Sequence, residues 1–142
     1  MTVLDAYAVL AYLRAERCAD EVSRLLRAPT VLTAANAAEV FDQLVRVYRR
    51  DPDDVHADLA LLANAGMQIV PVSADQGLLA GRLRARHYHR ERCAVSLADC
   101  LAAAAALTAR LLLATSDPAL AALIRAENGT VHPLADSKGI ES

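Results

Sequence analysis

Four acidic residues stand where a strand hands over to a helix. Asp5 follows "TVL", Glu39 lies in the first turn after "TVLTAAN", and Asp117 follows "LLLATS". Asp99 opens the Ala-rich helix that leads into the last of these strands. Ligands of open α/β sheets bind beyond the carboxyl ends of the strands, so acids at junctions that share one sheet edge converge. Each acid also has a local explanation. Asp5 and Asp117 read as N-caps, and Asp117 precedes Pro118, a favoured first helical residue. Asn36-x-x-Glu39 and Ser96-x-x-Asp99 have capping-box spacing. Taken singly, capping accounts for each of the four. Yet Glu39 and Asp99 already have Asn36 and Ser96 to cap their helices, and both sit among apolar neighbours. A buried carboxylate needs a partner, and the only lysine is Lys138. A divalent cation meets that need. Carboxylates without a neighbouring Cys/His set favour the hard, oxygen-seeking Mg2+ or Mn2+. Asp51, before Pro52, reads as a cap and nothing more.

A second stretch carries the opposite charge. "RLRARHYHRERC" (82–93) holds five arginines, two histidines and Tyr88. One reading is an RNA-contacting segment in which Arg82, Arg86, His87, His89, Arg90 and Arg92 meet phosphates and bases. The other is a solvated helix end whose cations complement the helix dipole. His87, His89 and Cys93 lack a suitably spaced fourth ligand for zinc. "RVYRR" (46–50) reads as a helix C-terminus. The sequence has no G-x-G-x-x-G, no G-x-x-x-x-G-K-[ST] and no G-x-S-x-G, so dinucleotide sites, P-loops and nucleophile elbows are not expected. A receiver-like phosphoacceptor would want a lysine late in the sheet, whereas Lys138 lies in the tail.

The elements that must position these groups alternate in type. "TVL", "TVLT", "MQIVPV", "RLLLAT" and "TVHPL" read as strands, the last the weakest. Between them lie helical patterns: "AYAVLAYLRAE", the region 20–27, "AAEVFDQLVRVYRR", "DPDDVHADLALLANAG" with Pro52 at its start and Gly66 at its stop, "SADQGLLAGRLRARH" with Ser73 and Gln76 in capping-box spacing, the Ala-rich run, and "DPALAALIRAE". Continuous apolar strands separated by helices imply a mostly parallel sheet of four to five strands covered on both faces, a three-layer α/β/α architecture.

Bulk properties agree with a single domain, residues 1–135, followed by a tail, 136–142. The chain has 142 residues, 55% of them hydrophobic, with 5 glycines and 5 prolines, which argues against disorder or a loop-dominated fold. A net charge of −2 gives no global attraction to nucleic acid. The N-terminus has no basic region before its apolar residues, so a signal peptide is not expected. Asp99 and Arg110 interrupt the most apolar stretch, which argues against a membrane span. Three scattered cysteines without C-x-x-C fit reduced thiols and a cytoplasmic protein.

"VLDAYAVLAYL", "NAAEV", "SLADCLAAAAA" and "ATSDPAL" together resemble the PIN-domain ribonucleases, and VapC-type toxins of type II toxin–antitoxin pairs in particular. The resemblance covers essentially the whole chain. It implies that Asp5, Glu39, Asp99 and Asp117 form an acidic quartet holding Mg2+ or Mn2+, supported by Thr115, Asn36 and Ser96. It implies endonucleolytic cleavage of RNA, a homodimer, and a small antitoxin that blocks the acidic groove. Tyr7 departs from the pattern, since many members carry Ser or Thr two residues after the first Asp. The alternative from another class is a catalytically inactive PIN-like module that serves dimerisation or protein binding.

Overall fold

Residues 1–135 are described by the computed structural model, so the expected tail 136–142 lies outside the described residues. The strands are β1 (Thr2–Leu4), β2 (Thr30–Thr33), β3 (Met67–Val70), β4 (Leu112–Thr115) and β5 (Val131–Pro133). The α-helices are α1 (Ala6–Leu13), α2 (Ala19–Leu25), α3 (Ala34–Asp42), α4 (Pro52–Asn64), α5 (Ala74–His87), α6 (Leu97–Ala109) and α7 (Pro118–Ala126). A π-helical turn, Gln43–Val47, continues α3.

All five strands pair in parallel, in the order β3-β2-β1-β4-β5. Side chains of a strand alternate between faces, and here both faces are buried. Leu4, Leu32 and Ala114 enter a core with α1, α2, α3 and α4. Val3, Val31 and Leu113 enter a second core with α5, α6 and α7. This is the three-layer arrangement expected from the sequence, with every strand pair parallel. Among the described residues no helix is long and apolar enough to cross a membrane.

The path of the chain creates a crevice. From β1 the chain builds outward through β2 to β3 on one side. It then returns through α5 and α6 to place β4 on the other side of β1. The order therefore reverses between β1 and β4, whose residues pair as Thr2 with Leu112, Val3 with Leu113 and Leu4 with Ala114. Such a reversal leaves an opening beyond the strand ends, because the following helices depart to opposite faces. Here α1 leaves β1 toward one layer and α7 leaves β4 toward the other.

Helix α6 reaches this opening because its side chains are small. Ala102–Ala106 are all buried, and the helix packs across β1, β2 and β4 and touches α3. Its end differs from the sequence expectation. Arg110 is not a strand residue but the left-handed residue (φ 55°) that terminates α6, so β4 begins at Leu112. Similarly, α1 stops at Leu13 rather than Glu16, where Ala15 also turns left-handed (φ 52°).

Close helix–sheet approach makes the alanines sensitive to volume. Ala103→Leu adds three heavy atoms at a fully buried position. The expected loss of stability is about 1–3 kcal/mol, measured as a lower urea midpoint with unchanged slope.

Candidate functional site

Asp5 is the first residue after β1 and is almost fully buried, at 3% exposure. Its Oδ1 accepts from the Ala8 amide at 2.9 Å and caps α1. Asp117 lies two residues beyond β4, where its Oδ1 accepts from the Ala119 amide at 2.9 Å and caps α7. Thr115, fully buried, joins the two across the crevice. Its Oγ1 accepts from the Asp117 amide at 3.0 Å, and its side chain also hydrogen-bonds the Asp5 carboxyl. A single hydroxyl thus ties the ends of β1 and β4 together.

Asp99 stands in the first turn of α6. Ser96 Oγ accepts from the Asp99 amide at 3.0 Å, and Asp99 Oδ2 accepts from the Ser96 amide at 2.9 Å. The reciprocal capping box is complete, so Asp99 does cap the helix that Ser96 begins. The cap does not isolate Asp99 from the other acids, since the charge of Asp117 still acts on it.

Glu39 departs from the expected position. Thr33, not Asn36, caps α3: Thr33 Oγ1 accepts from the Asn36 amide at 3.1 Å. Glu39 is therefore in the second turn and has no capping role. The misplacement arose because the strand residue Thr33 doubles as the cap, which shifts the helix start three residues earlier. The Thr33 hydroxyl donates to Asn36 Oδ1 at 2.9 Å and fixes that amide. Asn36 Nδ2 and Glu39 Oε1 are both buried without a hydrogen-bond partner.

Electrostatics show that these acids share one locale. Burial, opposed by hydrogen bonds from Thr115 and Ala8, pushes the Asp5 carboxyl up to about 7, and the charges of Asp99 and Asp117 add to the shift. Burial also raises Asp99, against its Ser96 hydrogen bonds, with Asp117 contributing. Glu39 is raised by burial and then by Asp99. No described Arg, Lys or His forms an ion pair with any of the four. The N-termini of α1, α6 and α7 supply partial positive charge instead.

The acids feel one another, yet among the described residues no three His, Cys, Asp or Glu side chains form a ready-made metal shell. The donor chemistry nevertheless fits a hard divalent cation. The set offers only carboxylate oxygens, one of them buried and unpartnered. Asp5, Asp99, Asp117 and Glu39 are the residues that would hold it. Tyr7, where many relatives carry Ser or Thr, donates its hydroxyl to Glu16 Oε2 at 3.3 Å.

The basic segment is dispersed. Arg86 and His87 both engage Glu127, at 3.0 and 2.6 Å. His89 Nδ1 accepts from the Glu91 and Arg92 amides, each at 3.1 Å, and closes a tight turn. Arg82, Arg90 and Arg92 remain exposed. Arg84 was not singled out by sequence, because only the fold shows its Nε donating to the Val95 carbonyl at 3.0 Å. Cys18, Cys93 and Cys100 are free thiols.

The profile of the PIN domain matches residues 2–125. The chain belongs to the PIN domain family. A search of curated proteins finds none that matches. Among solved structures, the PIN domain is similar to a toxin–antitoxin complex from Klebsiella pneumoniae, at 18% identity and a TM-score of 0.64, over 86% of this chain and 91% of that one. It is also similar to VapBC2 from Rickettsia felis bound to a DNA fragment from their promoter, at 15% identity and a TM-score of 0.68, over 94% and 98%. A third is VapC20 of Mycobacterium tuberculosis, a sarcin–ricin loop cleaving toxin, at 16% identity and a TM-score of 0.69, over 86% and 94%. At these identities the likeness establishes the fold.

The raised Asp5 carboxyl has a measurable consequence. The unfolded chain releases this proton near the ordinary value of 3.8, whereas the folded protein holds it to about 7. The folded state binds more protons in that window, so Asp5's contribution to stability is full below it and lost as pH rises through it. Asp5→Asn retains an oxygen for the Ala8 amide. It should flatten this fall and leave the metal-free protein more stable than its parent at about pH 8. Urea unfolding in EDTA across the window reads the effect, and a variant less stable than the parent at the upper end would contradict it.

Proposed function

We propose that this PIN domain is a metal-dependent endoribonuclease that hydrolyses RNA phosphodiester bonds and acts as the toxin of a type II toxin–antitoxin pair. The observation that carries the reading is a set of four carboxyl groups around the β1–β4 crevice with which, among the described residues, no cationic side chain forms an ion pair. Such an arrangement opposes folding unless a cation or bound protons compensate. The printed description of VapC20 as an RNA-loop-cleaving toxin supports the choice of substrate. The two complexes support an antitoxin partner.

A bound Mg2+ or Mn2+ supplies an activated water and neutralises charge on the phosphate. The chain's own groups prepare for this. Asp5 must release its proton for the site to bind a cation, so metal binding and deprotonation are coupled. Thr115 orients the Asp5 carboxyl and Ser96 orients that of Asp99, so both are set before the ligand arrives. Glu39 Oε1, buried and without a hydrogen-bond partner, is kept unoccupied by any protein donor for the cation that it would hold with the other three acids. A homodimer, a cytoplasmic location and occlusion of the acidic groove by the antitoxin complete the proposal.

Antitoxin-free protein should cleave single-stranded or loop RNA with Mg2+ or Mn2+ and stop with chelator; undiminished cleavage in excess EDTA would overturn the mechanism. Asp99→Asn keeps an oxygen for the Ser96 amide but removes a charge. Cleavage should fall by roughly 100-fold or more. Added Mg2+ should raise the melting temperature of the parent and that of the variant much less. The same preparation should scatter light as a dimer at micromolar concentration, and a strictly monomeric species would count against the homodimer.

A further inference from the structure

One face of α5 is apolar, exposed and unused by the core. Leu78, Gly81, Ala85 and Tyr88 follow one another along a single helical stripe, while Ala80 and Leu83 on the opposite face are buried. Leu78 is 70% exposed and Tyr88 44%; beside them Leu97, the first residue of α6, is 56% exposed. Between these walls lies a groove of about 310 Å³, lined by Gly81, Arg84, Ala85, Tyr88 and Leu97. Its floor is low because Gly81 carries no side chain, and nothing lies within 4 Å of where a Cβ would be.

The groove is built around a fixed stack. The Arg84 guanidinium sits 4.3 Å from the centroid of the Tyr88 ring, and its Nε is tied to the Val95 carbonyl at 3.0 Å. Val95 is buried and immediately precedes the Ser96 cap of α6. The aromatic platform is therefore held in place before any ligand binds, which lowers the ordering cost of binding. The groove has a cation of its own, Arg84, and the exposed Arg82 and Arg92 lie on the same stretch of chain, while Arg86 is paired with Glu127 and Arg90 with Glu91. Leu97 and Asp99 belong to the same helical turn, so the groove and the acidic crevice flank one turn of α6.

We propose that the α5–α6 groove binds a nucleobase of single-stranded RNA, stacked on Tyr88, while the strand's backbone passes over the first turn of α6 toward Asp99. This deepens the ribonuclease reading and rests on it for the identity of the strand. Charge complementarity selects the occupant. A flat π surface braced by guanidinium suits a base, every one of which has a π-face. The exposed Arg82 and Arg92 suit the accompanying phosphates.

The test uses fluorescence anisotropy with a fluorescein-labelled single-stranded RNA of about twelve nucleotides, in EDTA so that no cleavage intervenes. Gly81→Leu sends a side chain into the groove from a Cβ position that has nothing within 4 Å, and favours the helix. It should weaken binding by about fivefold or more, as should Tyr88→Ala, whereas Tyr88→Phe keeps the ring and should bind like the parent. Unchanged affinity in both Gly81→Leu and Tyr88→Ala would overturn the proposal. So would a Gly81→Leu protein that binds RNA normally but changes its oligomeric state by light scattering, since the groove would then seat a second copy. Polyglutamate that binds as tightly as RNA and depends equally on Tyr88 would overturn it in favour of an acidic protein. Cleavage by the parent is measured separately with Mg2+. Its absence would sink the nuclease reading alone, and groove-independent RNA binding with intact cleavage would sink the groove alone.

Discussion

Burial of carboxyl groups, with their mutual repulsion added and no ion pair among the described residues to relieve it, is the constraint around which this PIN domain is organised. Asp5 lies buried where β1 ends, and burial with the charges of Asp99 and Asp117 holds its proton on to about 7. The fold offsets this with neutral dipoles rather than with ions. Three helices begin at the site, and Asp5, Asp99 and Asp117 each take a backbone amide of the helix they open. The Thr115 side chain bonds to Asp5 and to the Asp117 amide. Peptide and hydroxyl groups hold the carboxyl groups in place without cancelling their charge.

Capping and clustering were alternatives in the sequence and are one arrangement in the structure. A carboxylate has two oxygens and about four lone-pair sites. Asp5, Asp99 and Asp117 each spend one oxygen on a helix start. The spacing Ser96-x-x-Asp99 therefore meant what capping-box spacing usually means, and it also marked the site. Glu39 is the exception: Thr33 caps its helix, and the acid has no local duty. It is the member of the set for which clustering is the sole structural account.

Much of the fold was legible because its signals are local. Apolar strands of three or four residues, Pro52 and Pro118 after capping acids, and the Ser73/Gln76 pair located most elements to within a few residues. The acids could be placed at strand ends for the same reason. Helix boundaries set by left-handed residues were less visible. Arg110 and Ala15 adopt positive φ without being glycine or asparagine, so nothing in residue type marked the ends of α6 and α1. Long-range pairings were invisible altogether. That Arg86 and His87 answer Glu127, forty residues away, depends on α5 and α7 being neighbours. So does the dispersal of the basic segment, for which the sequence left an RNA-contacting segment and a solvated helix end both open.

The strand order also sets a timetable. β1 carries Asp5 and lies between β2 and β4, so one of its two ladders forms early and the other waits for residues 112–115. A chain emerging from the ribosome can pair β1 with β2 once Thr33 has been made, but Thr115 and Asp117 close the crevice only when they themselves have been made. Non-local closure of this kind is slow relative to local helix formation. The first fragments released by the ribosome, or left by a premature stop before β4, contain Asp5, Glu39 and often Asp99 yet lack the wall that assembles them. Assembly of the acids is thereby tied to the arrival of β4 and the residues just beyond it.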